Sequence, residues 1–218
     1  MEGVFTEIYD KNIWGCGSGG GSKKSVCGPY IDFVRKFIND MNVKKVVDLG
    51  CGDWQFSEEI YKDLNLDSSS GSGSGSGSTV EYIGYDCVKS VVETNKEKFS
   101  KDIGTTTTTF MHLDFFSNVE NLEKADLYIL KDVLQHWTIE SITTFLDKIT
   151  KNKQTKYILI CNCCDQKQDN QPLRHIAVNN NMCGSFHRSL TSKMLPLKKY
   201  NPKIVLKYST KEVSVITT

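Results

Sequence analysis

The apolar positions of this chain fall into short β-branched runs, separated by stretches whose apolar residues recur at helical spacing. From Val43, VKKVVDLG is such a run and stops at glycine, as a buried parallel strand does. Four more follow: VEYIGYD at 80–86, TTFMHLD at 108–114, ADLYILKD at 125–132 and KYILICN at 156–162. Between them, residues 90–100 place Val91, Val92 and Phe99 at helical spacing in a lysine-rich setting. Residues 139–149 put Ile142, Phe145, Leu146 and Ile149 on one face. Strands alternating with covering helices predict an α/β fold with a parallel sheet and right-handed crossovers. The end changes character: IVLKYST (204–210) and KEVSVITT (211–218) have little room between them and pair as an antiparallel hairpin. The expected architecture is three-layered, a mostly parallel seven-stranded sheet closed by that C-terminal hairpin.

Two segments break the pattern. Residues 68–78, SSSGSGSGSGS, have no side chain able to bury area and read as flexible coil, either a loop insertion or an engineered replacement. Subtracting them reduces the interval from Gly52 to Asp86 to about twenty residues, the glycine-to-acid spacing of a nucleotide-binding unit. The second segment, GCGSGGGS at 15–22, follows Trp14 and precedes the first strand. The chain therefore divides into an N-terminal helical, glycine-rich segment (1–42) and a main domain (43–218).

Composition narrows the picture. A chain of 218 residues, 39% hydrophobic, buries one sizeable core. The 27 Lys and Arg balance 26 Asp and Glu, so no overall electrostatic footprint points to nucleic acid or an anionic membrane. MEGVFTEIYDKNIW has no apolar stretch behind a basic start, and no run of about 18 apolar residues occurs. The expectation is a soluble cytoplasmic protein, in the host cytoplasm if the source is viral, with its eight cysteines reduced. Cys161-x-x-Cys164 with Cys183-x-x-x-His187 has zinc-like spacing, but the first pair begins inside a strand whose side chains alternate faces, so no metal is expected.

The chemistry concentrates at strand ends. In Asp48-Leu49-Gly50-Cys51-Gly52, glycines after the first strand let a nucleotide-like ligand approach the backbone, a tight structural turn being the alternative. A dinucleotide would want glycine where Gln55 stands. An acid at Asp48 suits a ligand that carries a free ammonium. Asp86 is placed for both ribose hydroxyls or, alternatively, as a cap for the next helix. Asp114 in HLDFF ends the third strand, within reach of an adenine amine, with Phe115 or Phe116 walling the ring; loop capping is the other reading. Lys131 and Asp132 close the fourth strand, and His136 lies four residues on; if a helix starts at once, Asp132 and His136 share a face. His136 then suits a general base, against a packing role beside Trp137. The fifth strand brings Asn162 and Asp165 to the same rim, and Arg188 is a grip for an acceptor carboxylate or phosphate, or a surface ion-pair partner.

Together DLGCGDWQFS, YIGYDCVKSVV, HLDFF and LKDVLQHW resemble the class I S-adenosylmethionine-dependent methyltransferases, in order and at the right strand ends over about residues 43–165. FTEIYDKNIWGCGSGGGS further resembles a subgroup that opens with an IY-x-x-N-x-WG segment and a Gly/Ser run. The resemblance implies a Rossmann-like fold and S-adenosylmethionine as cofactor. It would be held by Asp48, Gly50, Cys51 and Gly52, by Asp86 and Cys87, by Asp114 and Phe115, and by Lys131. Residues 15–22 become a lid from which Trp14 and Ser18 touch the ligand. Asp132, His136 and Arg188 remain the catalytic candidates. The third glycine of the family's first motif is absent, Asp53 and Trp54 following Gly52, and the G-x-x-R-x-L pattern near Gly184, Arg188 and Leu190 is one residue out of step. The implied acceptor is an O or N nucleophile on a small molecule or glycan. Lys-rich stretches at 148–156 and 193–203 leave RNA or protein as an alternative, and a non-catalytic cofactor-binding partner is the reading from another class.

Overall fold

Val46 and Val47 of the first predicted strand lie at the middle of a seven-stranded sheet in the computed structural model, which describes residues 2–62, 64, 79–100, 102–165 and 189–218. The strands are β1 (Lys45–Leu49), β2 (Val80–Asp86), β3 (Thr106–His112), β4 (Ala125–Lys131), β5 (Thr155–Cys163), β6 (Lys203–Tyr208) and β7 (Lys211–Thr217). Their order is β3-β2-β1-β4-β5-β7-β6, parallel through β5 and antiparallel for β7 and β6. The predicted fold class is therefore the observed one: a Rossmann-like, mostly parallel sheet closed by the C-terminal hairpin.

Because side chains alternate across a strand, the sheet divides its apolar residues between two cores. Val46, Tyr82, Leu127 and Leu159 pack with α2 (Lys24–Asp40), α3 (Ser57–Lys62) and α4 (Lys89–Phe99). Val47, Ile83, Tyr128 and Ile158 pack against α5 (Ile139–Lys151). In α5 the four residues expected on one face, Ile142, Phe145, Leu146 and Ile149, are all buried. Its start is set by Thr138, whose Oγ1 accepts the Ser141 N–H at 3.0 Å. Thr138→Ala is expected to cost about 1 kcal/mol, read as a lowered urea midpoint at unchanged slope.

The N-terminal segment holds α1 (Glu2–Asp10), a 3-10 turn at Gly20–Ser22, and α2, which runs through Pro29 and buries Cys27, Tyr30, Ile31, Val34 and Ile38.

Two expectations change. The third strand ends at His112, so Asp114 sits two residues beyond it in the following loop. No helix follows β4 at once: Asp132 turns with φ 59°, a 3-10 turn covers Leu134–His136, and α5 begins only at Ile139. Asp132 and His136 are therefore not neighbours on a helix face. The predicted hairpin closes the sheet, with β7 lying between β5 and β6. With Lys211 opposite Cys163, the first residue of β7 reaches the edge where the parallel strands end. The Ser/Gly run at 68–78 lies outside the described residues, as do Cys183, Gly184, His187 and Arg188. No helix among the described residues is long and apolar enough to cross a membrane.

Candidate active site

The carboxyl ends of the strands open into a cavity of about 420 Å³. Its floor is the turn after β1. Gly50 has φ 83°, and a Cβ there would stand 2.6 Å from Val133 Cγ2; Gly52 has φ 56°, and a Cβ there would stand 2.3 Å from Ser18 Oγ. Both positions require glycine, for conformation and for space. The Gly50 and Cys51 N–H groups donate to the Tyr85 carbonyl at 2.8 and 3.0 Å. The Gly52 N–H donates to Asp86 Oδ2 at 3.0 Å, the Val88 N–H to Asp86 Oδ1 at 2.9 Å, and Asn95 Nδ2 to the Gly52 carbonyl at 2.7 Å. Asp86 thus shapes the glycine turn as well as lining the cavity.

Asp48 is buried beside it and accepts the Tyr82 hydroxyl at 2.9 Å. Burial pushes its carboxyl up to about 7, the Tyr82 hydrogen bond and the charge of Lys131 opposing, and Asp86 adding to the rise. Burial also raises Asp86, with backbone N–H donors pulling the other way. On the far side, Lys131 Nζ donates to Asp132 Oδ2 at 2.7 Å and to the Gly21 carbonyl at 3.1 Å, while Lys211 Nζ donates to Asp132 Oδ1. Burial would raise the Asp132 carboxyl, but the two lysines prevail and hold it at about 2.

The glycine-rich segment docks directly on the turn. Ser18 donates through N–H and Oγ to the two Asp53 oxygens at 3.1 and 2.7 Å, and the Asp53 N–H returns a bond to Ser18 Oγ at 2.9 Å. Tyr9 Oη lies 2.7 Å from the same Oγ. Gln55 Nε2 donates to the Cys16 carbonyl at 2.7 Å and to Asp53 Oδ2 at 2.8 Å. A Cβ on Gly17 would fall 1.9 Å from Asp53 Oδ2, which explains the glycine. Asp53 and Gln55, seen in the sequence only as departures from a glycine pattern, are the groups that hold the N-terminal segment over the cavity.

The structure brings Asp48, Gly50, Cys51, Gly52, Asp86 and Cys87 to the cavity wall, together with Asp114, Phe115, Lys131, Asp132, His136, Trp14 and Ser18. Asp114 accepts the Ser117 hydroxyl at 3.0 Å, and Phe115 packs on Trp137 with centroids 5.8 Å apart. The rings of Phe5 and Trp14 lie 5.9 and 6.1 Å from that of His136. Burial raises the Cys87 thiol to about 12, so it is protonated at neutral pH. Asn162 and Asp165 are not on the wall; Asn162 is buried in β5. Lys211, Tyr82, Tyr9, Asp53 and Gln55 escaped the sequence reading. Lys211 carried a signal, a lysine opening a strand that is otherwise apolar, small or acidic.

An open, mostly parallel sheet with a glycine turn after its first strand and an acid ending its second is a Rossmann-like arrangement, in which ligands bind at the carboxyl edge of the strands. Residues 41–207 match the model of the methyltransferase domain family, and the chain belongs to that family; it is a methyltransferase by class. No curated protein matches it. Among solved structures, it is similar to the methyltransferase domain of bacterial CtHen1 at 17% identity and TM-score 0.62, covering 88% of this chain and all of that one. It is also similar to human N-acetylserotonin methyltransferase, solved in complex with S-adenosylmethionine, at 18% identity and TM-score 0.61. There it spans its own whole length but 56% of the human chain. At these identities the likeness is one of fold.

Proposed function

We propose that the cavity binds S-adenosylmethionine and that the chain transfers its methyl group to an O or N nucleophile on a small molecule or glycan. The observation that carries this reading is the convergence of Gly50, Gly52, Asp48 and Asp86 on one cavity wall, with Asp114 at its β3 end. The wall suits that cofactor: bare backbone where a Cβ would collide, a buried acid for an ammonium, and a second acid with lone pairs to spare for ribose hydroxyls. When bound, the cofactor supplies an electrophilic methyl on sulfur.

The protein's share of such a displacement is positioning and, for a hydroxyl acceptor, proton removal. Asp132 is unsuited to the second task, because both its oxygens are held by lysines and its carboxyl lies at about 2. It is a positioning group in this reading. His136, on the wall beneath the Phe5 and Trp14 rings, takes the proton-accepting role. The segment carrying Trp14 and Ser18 acts as a lid that excludes water. A small acceptor fits a cavity already roofed by that lid.

The test is calorimetric titration of the full chain with S-adenosylmethionine, S-adenosylhomocysteine and NAD. Micromolar binding of the first two without NAD is the expected result, followed by an acceptor screen that begins with sugars. NAD binding alone would overturn the reading, and cofactor binding without turnover on any acceptor class would favour a non-catalytic partner.

A further inference from the structure

We propose that Lys131 and Lys211 form a subsite for the carboxylate of the cofactor's amino-acid end, so that β7 of the closing hairpin takes part in ligand recognition. The inference rests on the S-adenosylmethionine reading above. It starts from the order of charged groups along the sheet edge. Asp86 follows from β2, Asp48 from β1, Lys131 and Asp132 from β4, and Lys211 from β7, in the same order as the strands. Adjacent strands are about 4.8 Å apart, so the groups form a row rather than a ring. Lys211 Nζ spans β5 to bond Asp132 on β4, which draws the β7 cation back into the row. Read from Asp86, the row is acid, acid, cation and cation, with Asp132 between the two lysines. An adenosyl amino acid whose ribose lies at Asp86 and whose ammonium lies at Asp48 has its carboxylate next.

Charge balance points the same way. Lys131, Asp132 and Lys211 together carry one net positive charge, on ammonium groups whose side chains are only 6% and 10% exposed. A buried cation without a matching anion is costly. With Asp48 ionised, the four groups sum to zero, and so does an amino-acid end that brings one ammonium and one carboxylate. Each partner of the ligand then finds its opposite. Each ammonium has three donors. Lys131 directs two at Asp132 and Gly21, and Lys211 directs one at Asp132, which leaves capacity for a further acceptor. Gly21 faces the same pair: a Cβ there would stand in ordinary contact, 3.5 Å from Lys211 Nζ and from Asp132 Oδ2.

Three ligands test this by calorimetry: S-adenosylhomocysteine, its decarboxylated analogue that keeps the amine, and 5′-methylthioadenosine, which lacks the amino-acid end. The wild-type protein is expected to bind S-adenosylhomocysteine at least about tenfold more tightly than the decarboxylated analogue, a charge-assisted hydrogen bond being the difference. Lys211→Met leaves Lys131 to neutralise Asp132, and it should weaken S-adenosylhomocysteine about 10- to 100-fold while leaving the other two ligands unchanged. Lys211→Arg should restore most of the loss. Equal wild-type affinities for the acid and its decarboxylated analogue would overturn the proposal without any variant. So would a Lys211→Met loss shared by all three ligands. A wild-type protein that binds none of the three would instead overturn the cofactor assignment itself.

Discussion

Asp86→Ala will weaken S-adenosylmethionine binding by roughly 100-fold and also lower the stability of the free protein. The carboxylate does two things at once. Its oxygens accept the Gly52 and Val88 N–H groups, and both bonds are buried. A carboxylate has about four lone-pair sites, so these bonds leave acceptor capacity for a ribose hydroxyl of the proposed cofactor. Alanine removes the acceptors for the ligand and orphans backbone donors that shape the glycine turn; each hydrogen bond to a charged group is worth about 1.5–3 kcal/mol. Asp86→Asn keeps the volume and one carbonyl oxygen, and it should fall between wild type and alanine in both assays. Calorimetry gives the affinity and urea denaturation the stability. Unchanged affinity in the alanine variant would place the ribose elsewhere.

The sheet was readable in the chain because β1, β2, β4 and β5 are largely buried on both faces, which makes β-branched runs stand out, and because the α5 face keeps a clean helical period. Boundaries were less readable. TTFMHLD shows no break at His112, since the residues that leave the sheet there, Leu113 and Asp114, prolong the alternation. After β4 the reading failed for a local reason: Asp132 adopts φ 59°, a conformation that the sequence LKDVLQHW does not announce. The acids proposed for the cofactor, Asp48 and Asp86, stood out because they lie at strand ends, on the edge where open α/β sheets bind ligands. Lys211 was missed because its place depends on which strand of the hairpin pairs with β5, and nothing local specifies that. Asp53 and Gln55 were missed because their partners, Ser18 and Cys16, lie more than thirty positions away.

The turn after β1 shows how a departure from a motif becomes a function of its own. A third glycine would take away one of the side chains that hold the N-terminal segment here, whereas Asp53 and Gln55 both grip it. The same segment meets the opposite end of the site through Gly21, whose carbonyl accepts Lys131 Nζ. The N-terminal segment is thus tied both to the glycine turn and to the cation pair.

Cofactor affinity will rise with pH and level off near pH 7, and Asp48→Asn will abolish the slope. In the free protein, burial pushes the Asp48 carboxyl up to about 7, against Tyr82 and Lys131, with Asp86 adding to the rise. Below that pH the acid is protonated, and an incoming ammonium must first displace the proton. Affinity therefore falls about tenfold for each pH unit below 7. The ligand's own amino group stays charged up to roughly pH 7.7–8, so a slope below about pH 7.5 comes from the protein and not from the ligand. Folding has the opposite sign. The unfolded chain loses this proton near its ordinary value of about 3.9 while the folded chain keeps it, so the acid's contribution to stability declines from about pH 4 to 7. Affinity and free-protein stability should then move in opposite directions with pH, and both Asp48-dependent slopes should vanish in Asp48→Asn, whose binding is weaker throughout. Calorimetry of S-adenosylhomocysteine in buffers of different ionisation enthalpy reads the proton released on binding directly. A slope that survives in Asp48→Asn would remove Asp48 from the ammonium site.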